Sequence, residues 1–291
     1  VLESGGVAVA QDIQGDIFAQ DSSLAYNSAT NTFIGNFQGT LDGDVTGSVF
    51  GDDSTLLVDG NNNKIVGPVD TASLRTSENK IALGFTAGES NQGTKAIAIG
   101  EFAGMTDQGT SSIAIGKQAG ETTQSAVAVA IGDQAGMTTQ GLRAIAIGQN
   151  AGLTTQSSSA VALGDQAGLT NQGTQAVAIG LLAGKLNQGA QTIAIGSEAG
   201  RDDQSANGIA LGHEAGKADQ ADYGIAIGEK SGNSNQGIRG IAIGRSSGKT
   251  DQGTKAVAIG DAAGYATQGA GAIAIGDLAG ETNQAANSIV I

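Results

Sequence analysis

The triplet Ile-Ala-Ile followed by Gly, or a near copy of it, recurs every sixteen residues from residue 81 onward, and the register never slips. Units begin at Ile81, Ile97, Ile113, Val129, Ile145, Val161, Val177, Ile193, Ile209, Ile225, Ile241, Val257 and Ile273, and a fourteenth starts at Ile289. A helical surface repeats about every 3.6 residues and a strand about every two, so a period of sixteen describes one whole supersecondary unit used again and again. The chain must therefore build an array, and its function must be sought in the unit.

Within each unit, numbered from the first residue of the triplet, positions one and three are Ile, Val or Leu and position two is Ala in all thirteen complete units. This large-small alternation suits a short strand with β-branched side chains on one face and a methyl on the other. Glycine stands at position four from Gly84 to Gly276 and at position eight from Gly88 to Gly280, where a coil of this length has to turn. Two corners per unit predict a flattened coil of a parallel β-roll with no helix. Thirteen coils at a strand spacing of about 4.8 Å would give a rod on the order of 60 Å long. The expected arrangement puts positions one and three inside each coil and position two against a neighbouring copy, where nothing longer than a methyl would fit.

Position twelve is Gln in every complete unit: Gln92, Gln108, Gln124, Gln140, Gln156, Gln172, Gln188, Gln204, Gln220, Gln236, Gln252, Gln268 and Gln284. Stacked in register, each amide can donate to its neighbour's carbonyl or to a backbone group, which predicts a structural ladder along a buried or half-buried edge. Position five, from Phe85, Glu101 and Lys117 to Asp261 and Asp277, is chemically scattered and reads as a solvent-facing column.

Residues 1–80 follow a different but related pattern. The segments 15–35 and 47–67 align without gaps at an offset of 32, twice the unit. Each reads as a short strand and a hairpin, with turns at Asn27 to Asn31 and Asp59 to Asn63. The lone Pro68 marks the handover. The predicted organisation is a β-rich neck or shaft segment over 1–80 and a β-roll of thirteen units plus a partial one over 81–291.

Composition narrows the function classes. Forty-eight glycines, one proline and 3% aromatic residues suit a thin core of small side chains. A formal charge of −14 repels nucleic acid and anionic lipid, and no apolar run is long enough to cross a bilayer as a helix, so neither partner is expected. No cysteine is present, and the single His213 lacks the partners of a catalytic triad or a zinc site. No catalytic residue, metal site or cofactor is expected, and the chain reads as not an enzyme. Asp52, Asp53, Ser54 and the asparagines 61–63 are the one oxygen-rich cluster, and turn chemistry accounts for them. A column of Thr at position ten, with Thr106, Thr122, Thr138, Thr154 and Thr170, raises ice binding, but Leu186, Asp202, Ala218 and Ala266 break it. The sequence starts at Val1 without an initiator Met and stops at Ile291 inside a repeat, which reads as a piece of a longer protein.

Taken together, "AIAIG", "AVAIG" and the closing "NSIVI" (287–291) resemble the repeats of YadA-like heads in trimeric autotransporter adhesins. The longer form, Ala-Ile-Ala-Ile-Gly-x-x-Ala-Gly-x-Thr-x-Gln-Gly, preceded by "GDVTGSVFGDDSTLLVDG", is similar to virion structural and tail-fibre proteins of tailed phages, particularly those of marine cyanobacteria. The resemblance implies an all-β, left-handed parallel β-roll solenoid packed as a homotrimer around a common axis. Ala98, Ala114, Ala130, Ala146, Ala162, Ala178 and Ala194 are then the expected trimer contacts. It also implies a rigid spacer in a virion fibre that acts in host attachment, with other fibre or baseplate proteins and a host cell-surface receptor as partner classes. The head of a bacterial surface adhesin is the alternative reading, and an ice-binding solenoid a distant one.

Overall fold

The structure, a computed structural model, describes residues 79–291 without a break, together with the backbone of six short strands between residues 17 and 65. The chain divides into two compact units, Val1–Ala72 and Ser73–Ile291.

In the first unit, Ile17–Phe18 pairs antiparallel with Leu24–Asn27, which pairs antiparallel with Thr32–Phe33. Val49–Phe50, Leu56–Asp59 and Lys64–Ile65 form a second sheet of the same kind. The register is the same in both: Ile17 faces Tyr26 as Val49 faces Val58, and Asn27 faces Thr32 as Asp59 faces Lys64. The sequence offset of 32 is thus also a structural one. The turn residues 28–31 and 60–63, the Asp52, Asp53 and Ser54 cluster and Pro68 lie outside the described residues.

The second unit is an all-β parallel solenoid of about thirteen turns, one turn per sixteen-residue repeat, without an α-helix among the described residues. Fourteen short strands, from Ile81–Leu83 to Ile289–Val290, stack into one parallel sheet. The strands that end on Gln, from Thr123–Gln124 to Thr282–Gln284, stack into a second sheet of eleven. Each strand pairs with its copy one coil away, so that Val161 faces Val177, Ala162 faces Ala178 and Leu163 faces Ile179. The corners are bonded in the same way: Gly152 N–H donates to Ala167 O at 2.9 Å and Asn150 N–H to Asp133 O at 2.9 Å. Backbone polar groups thereby find partners in the coils above and below.

The two faces of the Ile-Ala-Ile strand are inverted relative to the sequence expectation. Ala98, Ala114, Ala130, Ala146, Ala162, Ala178 and Ala194 are 0% exposed within a single chain, so none of them can touch another copy. They form the interior with a second alanine column, Ala103 through Ala215, and with the glutamines. The Ile, Val and Leu of positions one and three stand on the outer face, mostly half-buried and in places more open, as at Leu163 (38%) and Ile193 (37%).

The reason is thickness. Two glycine corners fold the coil so flat that the two sheets leave room for one methyl layer and one amide. At Gly184, φ is +52°, and a Cβ there would stand 2.7 Å from the amide of Gln188. At Gly180, φ is +128°, and a Cβ would meet the carbonyl oxygen of Gly196 at 2.7 Å. An interior this thin admits Ala and excludes Ile, so the larger side chains take the outer face.

Candidate functional site

Two features run the length of the solenoid: the glutamine ladder inside and the apolar face outside. In the ladder, each Gln Nε2 donates first to the carbonyl of position one in its own coil, as Gln156 does to Ile145 O at 2.8 Å and Gln188 to Val177 O at 2.9 Å. Its second hydrogen goes to the Oε1 of the next glutamine, as from Gln156 to Gln172 and from Gln172 to Gln188, both at 3.0 Å. Because the backbone carbonyl accepts only from nitrogen, it fixes the orientation of every amide, and all ladder bonds point the same way along the axis. The ladder runs unbroken from Gln108 to Gln284.

Gln92 is the exception. It donates to Ile81 O at 2.8 Å but not to Gln108, whose buried Oε1 has no partner. The ladder is therefore an interior column rather than an edge, and its first link is missing. Other buried hydroxyls are satisfied locally, as where Ser231 donates to Gly228 O at 3.0 Å and Thr192 to Gly189 O at 2.9 Å, whereas the buried Thr86 Oγ1, Asn150 Oδ1 and Asp261 Oδ1 have no partner.

The outer face carries two apolar columns with fourteen rows, one row per strand of the first sheet. At about 4.8 Å per row and about 7 Å between columns, it is a flat stripe on the order of 60 Å by 10 Å, as large as the biggest apolar patches monomers leave open. Sequence reasoning placed these residues inside. The usable signal was the fixed Gln beside a Gly, which shows that something longer than Ala already fills the coil.

The corners carry more left-handed residues than the glycines expected from the sequence. In the coil 177–192, Gly180 and Gly184 have φ of +128° and +52°, and Leu182, Asn187 and Gln191 join them with φ between +52° and +59°. Left-handed φ recurs at positions six and fifteen, even at bulky residues such as Phe102, Val127 and Tyr223. Only Asn or Asp at position eleven announces such a turn chemically. In that column Asn171 donates to Asn187 and Asn187 to Asp203, at 3.0 and 2.8 Å.

The variable columns are exposed, as at Phe85 (70%), whose ring meets Phe102 edge-on at 5.7 Å. Lys217 Nζ bridges Glu198 at 2.8 Å, and that bond, aided by the charges of Lys217 and Arg201, holds the Glu198 carboxyl below its usual range. His213 is exposed, with Nε2 3.7 Å from Glu214. The threonine hydroxyls at position ten turn partly to the backbone: Thr122 donates to Met137 O and Thr154 to Leu169 O, at 3.1 and 3.3 Å. Among the described residues no group of three or more His, Asp or Glu side chains converges as metal ligands would. No protein-family model matches the chain, and neither a curated protein nor a solved structure does.

Proposed function

We propose that the chain is a stiff spacer segment of an extracellular attachment fibre, assembled from three parallel copies, with the structural fibre of a phage virion as the leading setting. In this reading the roll is left-handed, residues 1–80 serve as neck or shaft, and the segment has no catalytic role. Its partners are its own copies, neighbouring fibre or baseplate proteins and, through the fibre, a host cell-surface receptor. The head of a bacterial surface adhesin is the same device in another setting, and the recurring Ala-Ile-Ala-Ile-Gly motif supports both.

The observation that carries the spacer reading is the uninterrupted outer stripe of Ile, Val and Leu, half-exposed on every coil while the interior is already full. A soluble monomer gains nothing from keeping the larger apolar side chains outside; copies packed face to face would bury them, at about 25 cal/mol per Å² removed from water. Stiffness follows from the in-register sheets and the ladder, which leave no hinge between coils.

Deleting two whole units, 145–176, tests the spacer reading. The cut ends meet in register, so the rod should shorten by about 10 Å with its assembly intact. Electron microscopy of fibres or small-angle scattering measures the length. Loss of folding, or undiminished host binding by 81–291 alone, would argue for a recognition surface within the repeats instead.

A further inference from the structure

Two columns border the apolar stripe, and they differ in charge. Position fifteen, two residues before each strand, holds Lys95, Arg143, Arg239 and Lys255 and no acid in any coil. Position five, two residues after each strand, holds six acids against two bases, Lys117 and Arg245. Both bases of the acidic flank are engaged in their own chain: Lys117 lies 3.6 Å from Glu101, and Arg245 lies 2.6 Å from Asp261. Among the described residues, none of the four cations on the other flank forms an ion pair within the chain; Arg239 lies over the Tyr223 ring at 5.7 Å. The stripe thus has one cationic edge whose charges are unspent and one acidic edge.

The two edges match in height. A coil climbs about 4.8 Å over its length, so position fifteen lies about 3 Å above position five of its own coil and about 2 Å below that of the next. At one level or the other each cation stands opposite an acid. Arg143 stands opposite Asp133, which has no ion pair among the described residues, and Arg239, Lys95 and Lys255 stand opposite Glu229, Glu101 and Asp261, which they would share with Lys230, Lys117 and Arg245 of that chain.

We propose that these flanks set how copies of the chain join: side by side and parallel, the cationic edge of one copy sealed against the acidic edge of the next. The proposal rests on the parallel self-association put forward above and adds the charged seam that holds it in that orientation. Two stripes facing each other antiparallel, related by an axis across the rod, place cation edge on cation edge and acid edge on acid edge. Parallel copies related by rotation about an axis along the rod place opposite charges together, without axial shift, and such heterologous contacts close into a ring. The apolar stripe supplies the adhesion and the flanks supply the direction.

The chain contains no cysteine, so the edges can be marked one at a time in the full chain. Arg143→Cys and Asp133→Cys replace exposed residues and should fold normally. With a short bismaleimide, the double variant should give covalent multimers on a denaturing gel and each single variant none. In parallel, Arg143→Glu with Arg239→Glu should weaken association by roughly tenfold or more, and adding Asp133→Arg with Glu229→Arg should restore it. Native chain that sediments as an oligomer, with a double variant that stays uncrosslinked and charge swaps without effect, overturns the parallel seam and leaves self-association standing. Native chain that sediments as a monomer at micromolar concentration overturns self-association itself.

Discussion

The interior of the coils and their outer face are built from the same strands, yet they tolerate variation very differently. Inside, position two is Ala and position twelve Gln in every complete coil; outside, position one exchanges Ile with Val and position three Ile with Leu. The interior is closed on all sides by its own chain, with a fixed thickness and a hydrogen-bond count that only Gln completes. Each Nε2 needs two acceptors and each Oε1 one donor, and Glu, Asn or Leu leaves at least one group without its partner. The outer face asks only for apolar bulk. Recurrence in this chain therefore measures how completely a position is enclosed, and the outer face is the side still open to other chains.

The sharpest way to break this contrast is to exchange one residue on each side at the same height. Gln188→Leu removes the bonds that Gln188 makes to Val177 O, to the Gln172 amide and to Gln204 Oε1, and it leaves Gln204 Oε1 without a donor, while the Gln172 amide keeps Val161 O. At about 1 kcal/mol for each of two bonds lost and about 1–3 kcal/mol for the buried acceptor left unpaired, the loss is roughly 3–5 kcal/mol. Ile179→Ala, on the outer face, should cost about 1 kcal/mol of chain stability, since the side chain is already half in water. Denaturant unfolding of both variants reads the difference. Equal losses would mean that the ladder contributes no more than an exposed contact.

The sequence carried the array in full: the register, the strand at each unit start, the parallel stacking and the glutamine column all follow from repetition and residue type. It did not carry the sense of the strand. Alternation of Ile and Ala shows that there are two faces but not which one is enclosed, because that depends on coil thickness, set jointly by Gly corners and the reach of Gln. The left-handed corners at positions six and fifteen were equally hidden, since Phe102, Leu182, Val127 and Tyr223 are poor turn formers held there by the hydrogen bonds of adjacent coils.

Position eleven offers a smaller effect that sharpens the same point. Asn, Asp or Thr stands there throughout, and Asn and Asp tolerate a left-handed backbone where a β-branched residue does not. Thr123, Thr139 and Thr155 escape the conflict, because none of them has a positive φ. Thr267 does not escape it: its φ is +55°, between Asp251 and Asn283 in the same conformation. Thr267→Asn should therefore stabilise the chain by about 0.5–1 kcal/mol, partly through an amide contact of the kind Asn235 makes to Asp251 at 2.9 Å. A melting temperature that falls would show that the neighbouring coils, and not the residue, absorb the strain.

The smallest expected effect lies on the surface and tests whether charge contributes to the coil at all. Glu198 accepts from Lys217 at 2.8 Å, one coil on, and from Arg201 at 2.9 Å, and its pKa lies below the ordinary 4.5. A carboxyl whose folded pKa is depressed stabilises the fold above its unfolded pKa, and that stability is lost as the pH falls through the folded value. Lys217→Met removes the first of the two cations and the larger cause of the shift. At neutral pH the variant should therefore be less stable than the parent by well under about 1 kcal/mol, given that these side chains are about a quarter exposed. The gap should narrow as the pH drops below about 4.5, because protonation removes from the parent what the substitution has already removed. A gap that stays constant from neutral pH to below the carboxylate range would assign the effect of Lys217 to packing of its methylene stem.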